Sequence, residues 1–302
     1  MSFRNSSKRR KAKRLARLRR QGKALDDIAA RCPEVAVKLL MRTFIYPQRS
    51  SADDEAQALL KQATHHDLTL GKRSLRVYEW KGKETDRPTV SLFHDYEAEA
   101  GYWHTHIRGL REMGCTVYAI DAPASGASQG QRLSLSDYIN ALHAFFAAFG
   151  SGHTVVGHGL GGAALVQTLA QLPARQRPVL AAVLGVNATS KAIFQRRLQV
   201  FGVDERVRLM FWKRLGRTKD VPLSNYDNTL AAARLGGVEG LVIHDRHDAR
   251  YPIADAQRIQ EAWPEAQLLD FEGFGHQLIG TPILTRVLPF VGAKTAAQAK
   301  AA

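Results

Sequence analysis

From Pro88 onward, short apolar runs alternate with amphipathic helical patterns, and this rhythm constrains the fold more than any other feature. The runs are "TVSLFH" (89–94), "TVYAID" (116–121), "HTVVGH" (153–158), "VLAAVLGV" (179–186), "GLVIHD" (240–245) and "AQLLDFE" (266–272). Between them lie "YWHTHIRGLREMG", "SLSDYINALHAFFAAFG", "GLGGAALVQTLAQL" and "ADAQRIQEAW". Strands that read as continuous hydrophobics are buried on both faces. Alternation with helices of this length therefore argues a mostly parallel sheet, covered on both sides. Ahead of them, "HDLTL" (66–70) and "SLRVYEW" (74–80) alternate apolar and polar residues around "GKR", as an antiparallel hairpin at a sheet edge would.

The N-terminal part reads differently. From Arg4 to Lys23 there are eleven Lys/Arg and no acid, whereas the whole chain carries +15. Residues 1–23 are expected to be a disordered basic arm. It is either a contact for a polyanion, through residues 4–23, or a solvated tail. Without aromatics after Phe3 it has nothing to stack on bases. A helical lead-in over 24–64 follows, with helices over 34–44 and 52–63, the latter opened by Ser51 as N-cap. Residues 188–236 interrupt the strand rhythm with helical patterns. They carry ten Lys/Arg against four acids, and read as a helical cap inserted into a domain spanning 65–292. Such a cap is either a solvated face or a positive mouth for acidic ligands. Residues 293–302 read as a flexible tail.

Two cysteines, Cys32 and Cys115, make no disulfide framework, and no apolar run reaches membrane-spanning length. A reduced, cytoplasmic setting is expected. Cys115 opens a buried strand and reads as inert.

Four stretches in order carry a resemblance: "FHDYEAEAGYW" (93–103), "DAPASGAS" (121–128), "GHGLGG" (157–162) and "GFGH" (273–276). They are similar to the HGWEG…W…DAPAHG…HSxGG…GxGH pattern of a bacterial, serine-esterase-like branch of the α/β-hydrolase superfamily. The likeness runs from about Leu68 to Val291. It implies the α/β-hydrolase fold, ester-hydrolase ancestry, a small acyl or acidic ligand, and neither cofactor nor metal. It also implies roles for individual residues. The strand-to-helix turn G-x-S-x-G presents the nucleophile. Here that position is Gly159, which has no side chain and tolerates φ above zero at little cost. The acid falls on Asp248, with Asp245 in reserve, and the histidine on His276, so that an Asp–His pair remains. The oxyanion hole would draw on the amide of Leu160 and on the loop at Asp95 and Tyr96.

Asp95 stands where the branch has glycine, and Ser125 where it has histidine. A carboxylate at 95 pointing inward would oppose an oxyanion about 4 Å away by roughly 4 kcal/mol at an effective dielectric of 20. Pointing outward, it would be a polar loop residue.

Several readings follow. One is a family member without its nucleophile, impaired or non-catalytic, that binds a ligand or partner. Another is an active hydrolase in which Asp and His activate water. A third is an esterase whose serine has been exchanged for glycine, and a fourth a polyanion binder that uses the arm. A metal cluster at His244, Asp245, His247 and Asp248 is not expected, because alternate residues at a strand end diverge. "GHGLGG" lacks the spacing and trailing Lys-Ser/Thr of a phosphate loop.

Overall fold

A computed structural model describes residues 2–82, 87–217 and 226–292. The chain divides into two compact units, one of residues 1–45 with 189–226, the other of 46–188 with 227–302.

The second unit holds an eight-stranded sheet. Its strands are β1 (Thr64–Leu70), β2 (Arg73–Trp80), β3 (Thr89–Phe93), β4 (Thr116–Ile120), β5 (Thr154–His158), β6 (Leu180–Leu184), β7 (Glu239–Asp245) and β8 (Ala266–Phe271). The spatial order is β1-β2-β4-β3-β5-β6-β7-β8. Only β2 runs antiparallel to its neighbours, pairing Leu70 with Arg73 at the hairpin and Val77 with Ile120 across to β4. The other pairs are parallel, as uninterrupted apolar strands such as β5 and β6, buried throughout, require. The helices of this unit are α3 (Asp54–Leu60), α4 (His104–Glu112), α5 (Leu135–Phe149), α6 (Gly159–Gln171), α9 (Asn228–Ala232), α10 (Ile253–Ala262) and α11 (Thr281–Gly292). α4 packs against α3 and α11, while α6 packs against α5 and α9. Trp103, Ile107, Val117, Val156 and Leu184 share one buried cluster. α5 begins at a capping box: Ser134 Oγ accepts from the Asp137 amide, and the Asp137 carboxylate accepts from the Ser134 amide.

The first unit is helical. It comprises α1 (Ser2–Arg31), α2 (Pro33–Ile45), α7 (Ser190–Phe201) and α8 (Glu205–Leu215), with a core of Leu25, Ala29, Val37, Leu40, Leu198, Phe201, Val207 and Phe211. The Asp26 carboxylate accepts from the Asp204 amide, and Arg197 donates to the Thr43 carbonyl while lying over the Phe44 ring.

Three expectations change here. The arm over 1–23 is helical from Ser2 onward: the segment lacks proline, is rich in Lys, Arg, Ala and Leu, and continues into a stretch that docks. At Gly22 a Cβ would collide with the Phe201 carbonyl, so glycine allows that approach. The N-cap of α3 is Asp53, which accepts from the Ala56 amide, and not Ser51, because the helix starts two residues later, at Asp54. The lead-in over 24–64 and the cap over 188–236 are not separate bodies. α1 and α2 share a core with α7 and α8, whereas α3 and α9 belong to the sheet unit, because Leu59 and Ala232 are buried there. The tail over 293–302 and cap residues 218–225 lie outside the described residues.

α6 starts at the residue that follows β5, so the turn between them is abrupt. Gly161 permits it: a Cβ there would strike the carbonyl oxygens of Phe93 and His94. Gly161→Ala is expected to cost about 2–3 kcal/mol by forcing backbone apart. Ser134→Ala, which loses a cap only, should cost about 1 kcal/mol. Urea unfolding of both variants checks this, and equal losses would show that α6 does not press on the β3 loop.

Candidate functional site

Four segments of the sheet unit meet at the C-terminal ends of the central strands: the loop after β3, the N-terminus of α6, the loop after β7 and the loop after β8. The loop after β7 brings two groups and each of the others one.

The β5–α6 turn contributes Gly159, at φ +52°. A non-glycine residue held in the left-handed region costs on the order of 1–3 kcal/mol, and glycine avoids that strain. The space beside its Cα is taken. A Cβ on residue 159 would overlap Oδ1 and Cγ of Asp95 and lie 2.9 Å from Oδ2, where real Cβ contacts essentially never fall below 3.0 Å.

Asp95 therefore points inward. Its Oδ1 accepts the Leu160 amide at 2.8 Å, and its Oδ2 accepts from Arg250 Nη1 at 2.7 Å and from His276 Nε2 at 3.2 Å. Leu160 lies in the first turn of α6, so the carboxylate also sits in the positive end of a 13-residue helix. The backbone of the β3 loop is fixed independently. His94 donates from Nδ1 to the Asp95 carbonyl and accepts the Ala122 amide at Nε2, while Tyr138 donates to the His94 carbonyl. Burial lowers the His94 pKa, in keeping with that neutral tautomer.

His276 lies in a short 3₁₀ turn after β8. Its Nδ1 donates to Asp248 Oδ2 at 2.8 Å. The opposite carboxylate oxygen of Asp248 accepts the Arg250 amide at 2.6 Å. Both ring nitrogens of His276 thus face carboxylates. Burial lowers its pKa, but the hydrogen bonds to Asp248 and Asp95 and the charge of Asp95 outweigh burial, so the net shift is upward. Burial raises Asp95 and Asp248, yet the bond and charge of His276 prevail in both. Asp95 ends well below the usual carboxylate range, with Arg250 adding to the effect. The result is a histidine held between two carboxylates, with a guanidinium on one of them.

The structure brings Gly159, Leu160, Asp95, Asp248 and His276 together. Tyr96 follows Asp95 in the loop, half-buried. Asp245 does not join them: it accepts from the His247 and Phe274 amides, tying the β7 end to the loop that carries His276. Ser125 belongs to the turn that folds over the Asp121 carboxylate.

Two site residues escaped the sequence reading. Arg250 reaches Asp95 across 155 positions of chain. Its only local sign was a cation two residues past the acid. His158 donates from Nε2 to the His276 carbonyl and stacks face to face on Tyr102, with ring centroids 5.0 Å apart; burial pushes its pKa down to about 4. Asp95, His158 and His276 hold one oxygen and two nitrogens within 4.8 Å of one another, a set able to hold a metal ion. The Asp95 oxygen of that set already has a cation on it, Arg250.

The pH dependence follows from these shifts. His276, raised above its ordinary 6.5, contributes stability below that pH and loses it as pH rises through its folded value. Asp95 and Asp248, held below 3.8, contribute above that pH and lose it as pH falls through theirs. The network is complete between about pH 4 and 6.5. The Tm difference between the protein and its Asp95→Asn variant should be largest in that window and shrink on both sides. A difference independent of pH would show that the network does not titrate as described.

A family model described as "Alpha/beta hydrolase family" matches residues 91–285. No curated protein matches the sequence. Solved structures with the same fold include a putative lipase from Acinetobacter baumannii AYE, with 15% identity, 82% of this chain and 99% of that one covered, and TM-score 0.60. A proline iminopeptidase from Mycobacterium smegmatis shares 15% identity over 78% of this chain and 100% of its own, with TM-score 0.57. A carboxylesterase from Bacillus subtilis shares 18% over 79% and 95%, with TM-score 0.56.

Proposed function

Since the chain belongs to the alpha/beta hydrolase family, as its match over residues 91–285 establishes, we propose that it is a member whose ester-cleaving centre is filled by its own Asp95 side chain. On this reading it does not catalyse acyl transfer by the serine route. Gly159 takes the nucleophile position and supplies no attacking atom. Asp248 and His276 are the retained acid and histidine, and Leu160 the retained oxyanion donor, with Tyr96 beside it. The role left to the fold is to bind a small acyl or acidic ligand or a protein partner.

The observation that carries this reading is the Asp95 carboxylate on the Leu160 amide. In an acyl-transfer enzyme that amide stabilises the negative oxygen of the tetrahedral intermediate, and losing one such donor costs about 10²–10³ in kcat. Here it already holds a negative oxygen. A substrate oxyanion would have to displace the carboxylate or sit beside it, against a repulsion of roughly 4 kcal/mol at 4 Å and an effective dielectric of 20. Asp95 occupies the centre much as a product carboxylate would.

Two alternatives fare worse. Direct activation of water by Asp248 and His276 needs Nε2 free to face that water, and here Nε2 is engaged by the Asp95 carboxylate. An otherwise intact esterase with serine exchanged for glycine would not carry, at position 95, a side chain that overlaps any Cβ at 159. The two positions depend on each other.

The test is a double-mutant comparison on short p-nitrophenyl esters, with fluorophosphonate labelling as a second readout. The protein and Gly159→Ser alone should show neither turnover nor labelling, and Gly159→Ser should also lower Tm. Gly159→Ser combined with Asp95→Gly should label and turn over esters. Activity in the unaltered protein, or equal activity in the single and double variants, would refute the proposal.

A further inference from the structure

Charge is divided unequally between the two units. The helical unit holds 23 Lys/Arg against 6 acids, a net of +17, while the sheet unit carries −2. Within the helical unit, eleven of the cations fall between Arg4 and Lys23 on the single helix α1. From residue 15 onward, where burial is described, Gly22, Leu25 and Ala29 of α1 are buried, whereas Arg19, Arg20 and Lys23 are exposed.

Two features select among polyanions. First, the basic positions do not form a stripe. At 100° per residue they are distributed around the whole circumference of the helix. A planar anionic surface rewards one cationic face backed by an apolar one, and this stretch has no such division. A cation-bearing rod suits a groove walled by phosphates on both sides. Second, the dimensions match B-form DNA. An α-helix with side chains is about 10–12 Å across, and the major groove is about 12 Å wide. The 14 residues from Arg4 to Arg17, ahead of Leu18 and Gly22, which pack within the unit, rise about 21 Å, more than half a turn of the duplex. The A-form RNA groove is too deep and narrow to admit such a rod.

Like charges are crowded along the sequence of α1. Its basic residues form eleven pairs at i,i+3 or i,i+4 spacing, each repulsive, with no acid among them and none in the first turn. Phosphates on either side would relieve that repulsion.

From this we infer that α1 is a duplex-DNA-binding element that lies in the major groove and contacts phosphates without reading sequence. The stretch has neither aromatic side chains for stacking nor Asn or Gln between Lys8 and Arg20 for bidentate base contacts. This is independent of the state of the hydrolase centre, which lies in the other unit.

The test uses the full-length protein and fluorescence anisotropy with a labelled DNA duplex of about three helical turns, the RNA duplex of the same sequence, and vesicles rich in phosphatidylserine. DNA should bind more tightly than RNA or vesicles. Its affinity should fall about 1,000-fold or more between roughly 50 and 200 mM salt. Replacing Arg10, Lys11, Arg14, Arg19 and Arg20 together by Gln keeps helix propensity. It should weaken DNA binding at least about 100-fold at low salt and reduce the salt slope by about 4, near 0.9 per lost phosphate contact. Circular dichroism and Tm verify that this variant folds. Undiminished binding by a folded variant overturns the assignment to α1. Equal or tighter binding to RNA overturns the groove argument, and preference for vesicles or absence of DNA binding at low salt overturns the proposal as a whole.

Discussion

His276 donates both ring protons to carboxylates, Asp248 on one side and Asp95 on the other, and the rest of the site depends on that arrangement. The two bonds join three loops that follow β3, β7 and β8. Asp95 extends the connection to the N-terminus of α6 through Leu160, and Arg250 closes it by reaching back from the β7 loop. Buried charges are tolerated only when paired and hydrogen-bonded, and here two anions and two cations satisfy one another. A catalytic histidine alternates between taking and giving a proton. One held by two carboxylates has lost half of that cycle.

Gly159 and Asp95 read as a single adaptation. Glycine at φ +52° relieves backbone strain, and the space it opens receives a carboxylate from the neighbouring loop. That carboxylate then collects the three donors that converge there: an amide at a helix N-terminus, an imidazolium and a guanidinium. The described geometry is a cluster of paired ionisable groups on an alpha/beta hydrolase framework. The helical unit has its own core and a net charge of +17, more than the +15 of the whole chain.

Much of this was legible in the sequence because it rests on local pattern. Apolar runs with turn residues between them marked the strands to within a residue or two, from Thr89 to Phe271. The glycine pattern around Gly159 marked a turn with positive φ. Asp248 and His276 were marked by the resemblance to the family motif, and their side chains are hydrogen-bonded to each other. The direction of Asp95 was not legible, since it depends on Arg250 lying within reach, a contact between residues 155 apart. His158 was hidden for a similar reason: its role depends on Tyr102 stacking on it from another loop. The helix α1 was not legible because its dense positive charge masks its helix propensity, and because Phe201, which Gly22 approaches, is far away in sequence. Asp53 displaced Ser51 as a cap on a margin of two residues, which pattern alone does not resolve.

The central claim is the position of one carboxylate, and an electron-density map of the crystallised protein at neutral pH tests it directly. The account requires Asp95 Oδ1 within hydrogen-bonding distance of the Leu160 amide and Oδ2 between His276 and Arg250. A map with Asp95 turned to solvent and the Leu160 amide facing water or a bound ligand would contradict it.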